Sequence, residues 1–505
     1  MRNSAHAQQR PESLDDERLL RELGIKQTLH RRMNTSGSTY AGVGTISIMS
    51  GTLLLFGFGL NSGGPSVVLW GWLAIGPLVL CLAAALAEIA SRFPSSGGLY
   101  LMAKNLGGDR WGWYTGWLNL LGLLAGIAAQ DYGIGTFAAA WANWQWGITL
   151  SPRALMALCG VILLLHALMN LFSANLMNTL NSVSAGWHLL GAVVIIGALV
   201  FIPSHHQSTA FAFGEFTNNT GWANQVYVVS LGMLLPCFAL AGYDTPVHLA
   251  EETKNASVAT PLGVVRSVAI CWIAGGILLA AMIFAIQDPA ATLSSPNGPV
   301  PQILHDALGM ATAKILLLVI IGAQFLCGYT VTTSASRMIM AFSRGGALPG
   351  SARWEKTSRR DIPAHAVWLA VTVAFVLALP ALFSPTAFAA ITAISVVGFT
   401  SAYAIPVLLR LIHPDKWTPG TWSLGRWSKP IGWTAVAWAA GVTVMFMLPQ
   451  TSPITVSTFN YTPIATAVAF GLAAVWWRFG RGSYLARHSG QEAVRVDEDE
   501  FEGII

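Results

Sequence analysis

The sequence predicts an all-α integral membrane protein of twelve spanning helices, ten of them paired as two inverted five-helix repeats, with helices 1 and 6 discontinuous. Three observations predict it. The 505 residues are 54% hydrophobic and 10% charged, with a mean hydropathy of +0.55, whereas a soluble domain carries about 25% charged residues. Apolar runs close to the ~20 residues that cross a bilayer recur twelve times. Two of those runs, the first and the sixth, carry near mid-span a small-residue stretch that a continuous helix would not choose.

The segments lie at about 40–62, 66–91, 111–141, 153–172, 180–202, 224–250, 262–287, 313–342, 363–383, 387–412, 430–448 and 459–477, with ends good to a few residues. Arginine and lysine predict their orientation. With the N-terminus inside, the inner loops and ends hold Arg2 to Arg32, Arg92, Lys104, Arg110, Lys254, Arg266, Arg337 to Arg360, Arg410 to Lys429 and Arg478 to Arg495. Outer loop edges receive only Arg153 and Lys314 of the 28 basic residues. The positive-inside rule therefore puts both termini in the cytoplasm, and the cytoplasmic membrane is the expected location. The net charge of +5 follows from these loops and calls for no nucleic acid; the bilayer is the partner that composition implies.

Residues 1–35 read as a cytoplasmic N-terminal segment, with a short amphipathic turn around Asp15 to Leu23. Residues 480–505 read as a cytoplasmic tail, expected to be disordered through its acidic end. The five cysteines sit within apolar segments and the histidines are scattered, with no metal-ligand spacing. No metal or cofactor is expected, and no soluble catalytic domain fits between the spans, so the chain does not read as an enzyme.

The first break is Met49-Ser50-Gly51-Thr52. The second is Phe238-Ala239-Leu240-Ala241-Gly242, preceded by Pro236 and followed by Pro246. Backbone polar groups in a bilayer must be satisfied internally, so unwound backbone is tolerated only where it lines a protein cavity. Paired breaks in corresponding spans point to the substrate site of a secondary transporter. Because the breaks fall in the first and sixth spans, segments 1–5 and 6–10 superpose, and an odd number per half inverts the second. Residues 36–412 thus form the transport core; 413–479 hold the eleventh and twelfth helices. Inverted five-helix repeats with discontinuous first helices describe the LeuT-type architecture.

At the first break, the half-helix beginning near Leu53 aims N–H groups and a positive dipole end into the protein. That end suits a substrate carboxylate held by Ser50, Gly51 and Thr52 beside Met49. At the second, unpaired carbonyls around Phe238 to Ala241 suit a substrate ammonium. Asp244 follows two residues on. A carboxylate inside a membrane segment costs several kcal/mol unless paired or hydrated, so its role is functional by default. Asp131, beside Gln130 in the third segment, is the other candidate acid; it either attracts an amine headgroup or pairs with a neighbouring helix. Val331 in the eighth segment completes the expected substrate-binding set. Glu88 reads as an anchor near Arg92, one helical turn on. Tryptophans at span ends, Trp111 and Trp113 among them, read as interface anchors.

Several motifs carry a family resemblance. The second segment ends Ala87-Glu88-Ile89-Ala90-Ser91-Arg92-Phe93-Pro94-Ser95-Ser96-Gly97-Gly98-Leu99-Tyr100, with Gly63-Gly64-Pro65 and Trp70-Gly71-Trp72 upstream. The sixth exits through Glu251-Glu252-Thr253-Lys254-Asn255-Ala256. The eighth closes with Ser336-Arg337 and then Ala341-Phe342-Ser343-Arg344-Gly345-Gly346-Ala347-Leu348-Pro349, and Leu424-Gly425-Arg426 follows the tenth. Over roughly residues 35–480 the chain resembles the amino acid–polyamine–organocation (APC) superfamily. It most resembles the amino acid/choline transporter branch, which includes GABA and choline permeases. Two positions depart from the family pattern. Ser343-Arg344-Gly345-Gly346 stands where Ala-Arg-Asp-Gly is common, and Met49-Ser50-Gly51-Thr52 lacks the first glycine of a Gly-Ser-Gly break.

The resemblance implies a secondary active transporter importing a small zwitterionic amine, such as GABA or another amino acid, with H+ as the coupling ion. Choline or polyamine transport, and amino acid exchange, stay open as alternatives. It implies that Phe238 is an aromatic lid and that Asp244 stands where relatives keep a glutamate linked to gating. It places His188 near a lysine that replaces a structural sodium in some permeases; His188 either carries a coupling proton or bonds a carbonyl. Thr332, Thr333, Ser334 and Ser336 either bind a sodium ion or bond back to their own helix.

Overall fold

The computed structural model describes residues 16, 19–21, 29–172, 174–358 and 362–502. Most of the N-terminal segment, including most of the turn expected at Asp15 to Leu23, lies outside them. The described residues form helices and connections, with only two isolated bridges, Met33 to Thr253 and Ser62 to Asn218. Ten helices among them are long and apolar enough to cross a bilayer: Gly64–Arg92, Asp109–Trp146, Pro152–Asn170, Thr179–Phe201, Ala256–Phe284, Met310–Arg344, Ala364–Leu382, Thr386–Ile412, Gly425–Met447 and Thr462–Arg487. They fall on the predicted segments other than the first and sixth. The chain is thus a multi-pass membrane protein by length and composition.

Local chemistry sets the helix starts. Ser151 accepts the Ala154 N–H at 3.2 Å ahead of Pro152, whose missing N–H is one the first turn leaves unpaired anyway. Asn34 and Asn224 cap the first and sixth segments in the same way. The apolar side chains divide between two settings: Leu190, Val193 and Phe201 of the fifth segment stay exposed, while Ala185, Ala192 and Ile195 are buried. The third-segment helix Asp109–Trp146 is the central post, packed by the fourth, eighth, ninth and tenth segments.

Two expectations change. The last helix, predicted to end near residue 477, continues to Glu502, where a disordered tail was expected. Tertiary contact holds its extension as far as Arg487: buried Tyr484 packs on Trp113 and Trp477 at ring distances of 5.4 and 5.9 Å, and Arg487 pairs with Glu355. The same contact removes Trp113 from the membrane interface. Its ring is fully buried, and its indole N–H donates to the Ala473 carbonyl at 3.1 Å.

Candidate functional site

The first segment breaks at Ser47. Helix Thr35–Ile46 stops there because Ser47 takes φ +57°, and a wide π-helical turn, Ser47–Gly51, follows before Thr52–Leu54 and Phe56–Asn61. The discontinuity therefore starts two residues before the expected Met49 to Thr52 stretch, which occupies the wide turn and the helix after it. Long-range partners fix Ser47. Its hydroxyl meets His188 Nε2 of the fifth segment at 2.5 Å and accepts the Ser50 N–H at 3.1 Å. His188 Nδ1 lies 2.6 Å from its own-helix Ser184 carbonyl, so it carries the hydrogen. Both ring nitrogens are thus engaged, and in a neutral ring Nε2 is the acceptor for the Ser47 hydroxyl.

The sixth segment is helical over Gln225–Gly232 and Leu234–Ala239, leaves the helix from Leu240 to Asp244, and resumes over Thr245–His248. Phe238 and Ala239 are thus helical; Leu240, Ala241 and Gly242 are not. Pro236 sits in the first turn of its short helix, where it breaks nothing. Gly242 makes the turn with φ +89°, a region side-chain-bearing residues avoid.

The two interruptions touch. A methyl built on Gly51 would stand 2.9 Å from Ala239 Cα and 3.2 Å from the Phe238 ring. One built on Gly242 would stand 2.8 Å from the Thr45 methyl. The Thr245 hydroxyl donates to Thr45 Oγ1 at 2.8 Å and lies 2.9 Å from the Ser334 hydroxyl. The Ser50 hydroxyl donates to Gln130 Oε1 of the third segment. Segments one, three, six and eight therefore converge here, with Met49, Thr52, Phe238 and Val331 all buried.

Asp244, fully buried, follows the second interruption and receives three donors. These are Asn119 Nδ2 at 2.7 Å from the third segment, Tyr403 Oη at 2.7 Å from the tenth, and His248 Nε2 at 3.0 Å. Asp131 turns to a neighbouring helix, the second of the two roles left open for it, and meets His166 of the fourth segment. Thr332, Thr333, Ser334 and Ser336 bond carbonyls of their own helix at 2.7–3.2 Å. Asn119, His166, His248 and Tyr403 were not singled out from the sequence. For His166 a signal existed. Asp131 lies fifteen residues before the end of its helix at Trp146, and His166 fourteen after the next begins at Pro152. A short turn joins the two helices, so both residues sit at one depth.

One end of the assembly is tied shut by the motif residues. Glu252 pairs with Arg337 and Glu251 with Arg344, both at 3.0 Å, while Glu251 accepts from the Ser95 hydroxyl and the Ser96 N–H at 3.1 Å. Glu88 pairs with Arg410 at 2.7 Å and accepts from Ser423, Leu424 N–H and Ser428. Its anchor thus comes from the tenth segment and the loop beyond rather than from Arg92. At the other end a cavity of about 550 Å³ opens between Leu53, Leu54, Phe137, Asn143 and Pro299.

The sequence is similar to those of known proteins. A family model described as amino acid permease matches residues 36–470. The chain is 33% identical over 491 aligned positions to the amino-acid permease BAT1 of Arabidopsis thaliana, covering 93% of this chain and 94% of that protein. It is 34% identical over 488 positions to the BAT1 homolog of Oryza sativa subsp. japonica, with 91% and 92% covered. It is 28% identical over 518 positions to the GABA-specific permease of Saccharomyces cerevisiae, with 97% and 88% covered.

Proposed function

The chain belongs to the amino acid permease family of the APC superfamily, a family of transporters and not of enzymes, and from that premise we propose that it imports a small zwitterionic amine, GABA or another amino acid, across the cytoplasmic membrane with a proton as the coupling ion. The observation that carries this reading is the meeting of the two interruptions, Gly51 against Phe238 and Ala239, and Gly242 against Thr45.

In this reading the first and sixth segments complete a twelve-span, LeuT-type core over residues 36–412, with both termini cytoplasmic. The basic loops support that orientation. The stretch Met49 to Thr52, in the wide turn and the helix after it, holds the substrate carboxylate beside Gln130, and the unwound chain at Leu240 and Ala241 offers carbonyls to the ammonium. Phe238 covers the site. His188 and Asp244 brace the two interruptions and tie their opening to the transport cycle. The Glu252–Arg337 and Glu251–Arg344 pairs close the inner end while the opposite cavity admits substrate.

Uptake by the purified protein in liposomes tests this. Radiolabelled GABA, alanine, glutamate, arginine, choline and putrescine are offered with and without an inward proton gradient. Gradient-driven accumulation of GABA or another amino acid is expected. Accumulation of choline or putrescine alone would replace the zwitterion reading with a cation permease. Uptake that needs amino acid inside the liposomes, and ignores the gradient, would make the protein an exchanger.

A further inference from the structure

We propose that Asp131 and His166 together hold the proton that moves with the substrate, an assignment that rests on the proton-driven reading above. Both side chains are fully buried. His166 Nδ1 lies 3.0 Å from Asp131 Oδ2, and its other ring nitrogen, Nε2, lies 2.9 Å from the Phe325 backbone carbonyl of the eighth segment. A carbonyl only accepts, so Nε2 carries hydrogen. Nδ1 then faces a carboxyl oxygen, and that contact needs a proton of its own, on the ring or on the acid. A neutral imidazole and an ionised carboxylate hold one such proton between them; this geometry requires two. Loaded, the pair is electrically neutral. Unloaded, it leaves a net negative charge at membrane depth, where an unpaired charge is costly.

Among the described residues the surroundings supply no substitute cation. Asp131 Oδ1 meets no protein donor among the described residues. The titratable groups that share its field from the fourth and eighth segments are the thiols of Cys159 and Cys327. On its own helix, Tyr132 packs on Phe388. From the ninth segment His365 is exposed at the helix start. From the tenth, Tyr403 and Arg410 are taken up by Asp244 and Glu88. His188 of the fifth is engaged with Ser47 and Ser184, and residues 41–61 of the first contain no titratable group. His248 marks the contrast. Its Nδ1 has no partner among the described residues, so a neutral ring donating from Nε2 satisfies Asp244.

The pair also stands beside the substrate site. Gln130, the adjacent residue, accepts from Ser50, and Cys327, next to the Gly328 on which a methyl would stand 2.3 Å from Asp131 Oδ1, contacts the Thr45 carbonyl at 3.1 Å. An unloaded pair repels a carboxylate arriving at Ser50 to Thr52, and a loaded pair does not. Proton and substrate therefore favour each other, and the preference is reciprocal. One proton enters the Nδ1–Oδ2 contact from outside and leaves to the cytoplasm; no bond of the substrate changes.

The test uses the full-length protein in liposomes with radiolabelled GABA, or with whichever amino acid of the panel above accumulates most. A gradient of one pH unit supports up to about tenfold accumulation when one proton moves per substrate, since a tenfold ratio equals about 1.4 kcal/mol. The native chain is expected to approach that ratio. Asp131→Asn and His166→Gln are expected to reach about onefold while still carrying out counterflow, which needs no net proton movement and reports a folded, substrate-binding protein. Half-saturation in Asp131→Asn should not change with external pH, whereas the native value should rise as pH rises. Variants that still accumulate substrate on the gradient would overturn the assignment while leaving proton coupling intact. A native protein indifferent to the gradient would overturn both. Loss of counterflow in both variants would also overturn it, by placing the pair in substrate binding or folding.

Discussion

Trp72 and Trp272 each donate an indole N–H to the other's backbone carbonyl, at 2.8 and 3.1 Å. Each ring also lies over glycine of the opposite helix. A methyl on Gly275 would stand 2.6 Å from the Trp72 ring, and one on Gly76 only 2.0 Å from Trp272 Nε1. The two residues belong to the second and seventh segments, the mates that a five-plus-five repeat pairs. Thr45 and Thr245, joined by their hydroxyls, have the same separation in the chain. Reciprocal contacts of this kind are what the proposed inverted repeat would produce. Losing one such hydrogen bond, as in Trp272→Phe, should cost about 1 kcal/mol. Gly76→Val should cost more, about 1–3 kcal/mol from overpacking. Melting temperatures in detergent check both; a Gly76→Val protein as stable as the native chain would count against the tight crossing.

Asp244 draws its three donors from three different places in the chain, so each can be removed separately. Tyr403→Phe deletes the 2.7 Å contact from the tenth segment and leaves a carboxylate with two donors. A lost bond to a buried charge costs about 1.5–3 kcal/mol, so maximal uptake should fall roughly tenfold or more. Asp244→Asn should fall further, because an amide cannot accept on both atoms from Tyr403, Asn119 and His248 together. If Asp244→Asn transports at the native rate, the residue does not brace the second interruption.

The closed end makes a separate prediction. Arg337 and Glu252 are 2% and 4% exposed in their side chains, and the Glu252 carbonyl also accepts the Arg32 and Met33 N–H groups at 2.8 and 2.9 Å. Removing one partner of a buried pair costs about 3–5 kcal/mol. Arg337→Gln should therefore lower the melting temperature and loosen this end. In a chain whose only cysteine is Cys237, which is buried in the sixth segment, labelling by an impermeant maleimide applied from the side of the Arg337–Glu252 pair should rise. The exchanged double variant, Arg337→Glu with Glu252→Arg, should recover part of the loss.

The spans were legible because lipid imposes one rule on every residue of a segment, and that rule survives in composition. The two interruptions were legible to within two residues. Their exact start was not, because it depends on distant partners: Ser47 leaves the helix against His188, 141 positions away. The second begins late because Pro236 falls in a first turn rather than an interior. Asn119, His248 and Tyr403 carried no local signal, since a lone polar residue in an apolar helix reads the same whether it meets a carboxylate or a carbonyl. The extent of the last helix was hidden for the same reason. Its polar extension folds against Trp113, a partner 371 positions before Tyr484.

Gly242 offers the sharpest steric test of the meeting interruptions. Gly242→Ala meets two separate obstacles: a φ of +89°, and a contact of 2.8 Å with the Thr45 methyl. The left-handed region costs a residue with a β-carbon roughly 1–2 kcal/mol, and the clash adds to it. Thr45→Ser removes that methyl but keeps the hydroxyl that accepts from Thr245. The double variant should therefore regain the part of uptake lost to the clash and keep the deficit due to backbone strain. Initial uptake rates of the single variants and the double variant separate the two terms. If Thr45→Ser rescues nothing, the first and sixth segments do not meet at these atoms while transporting.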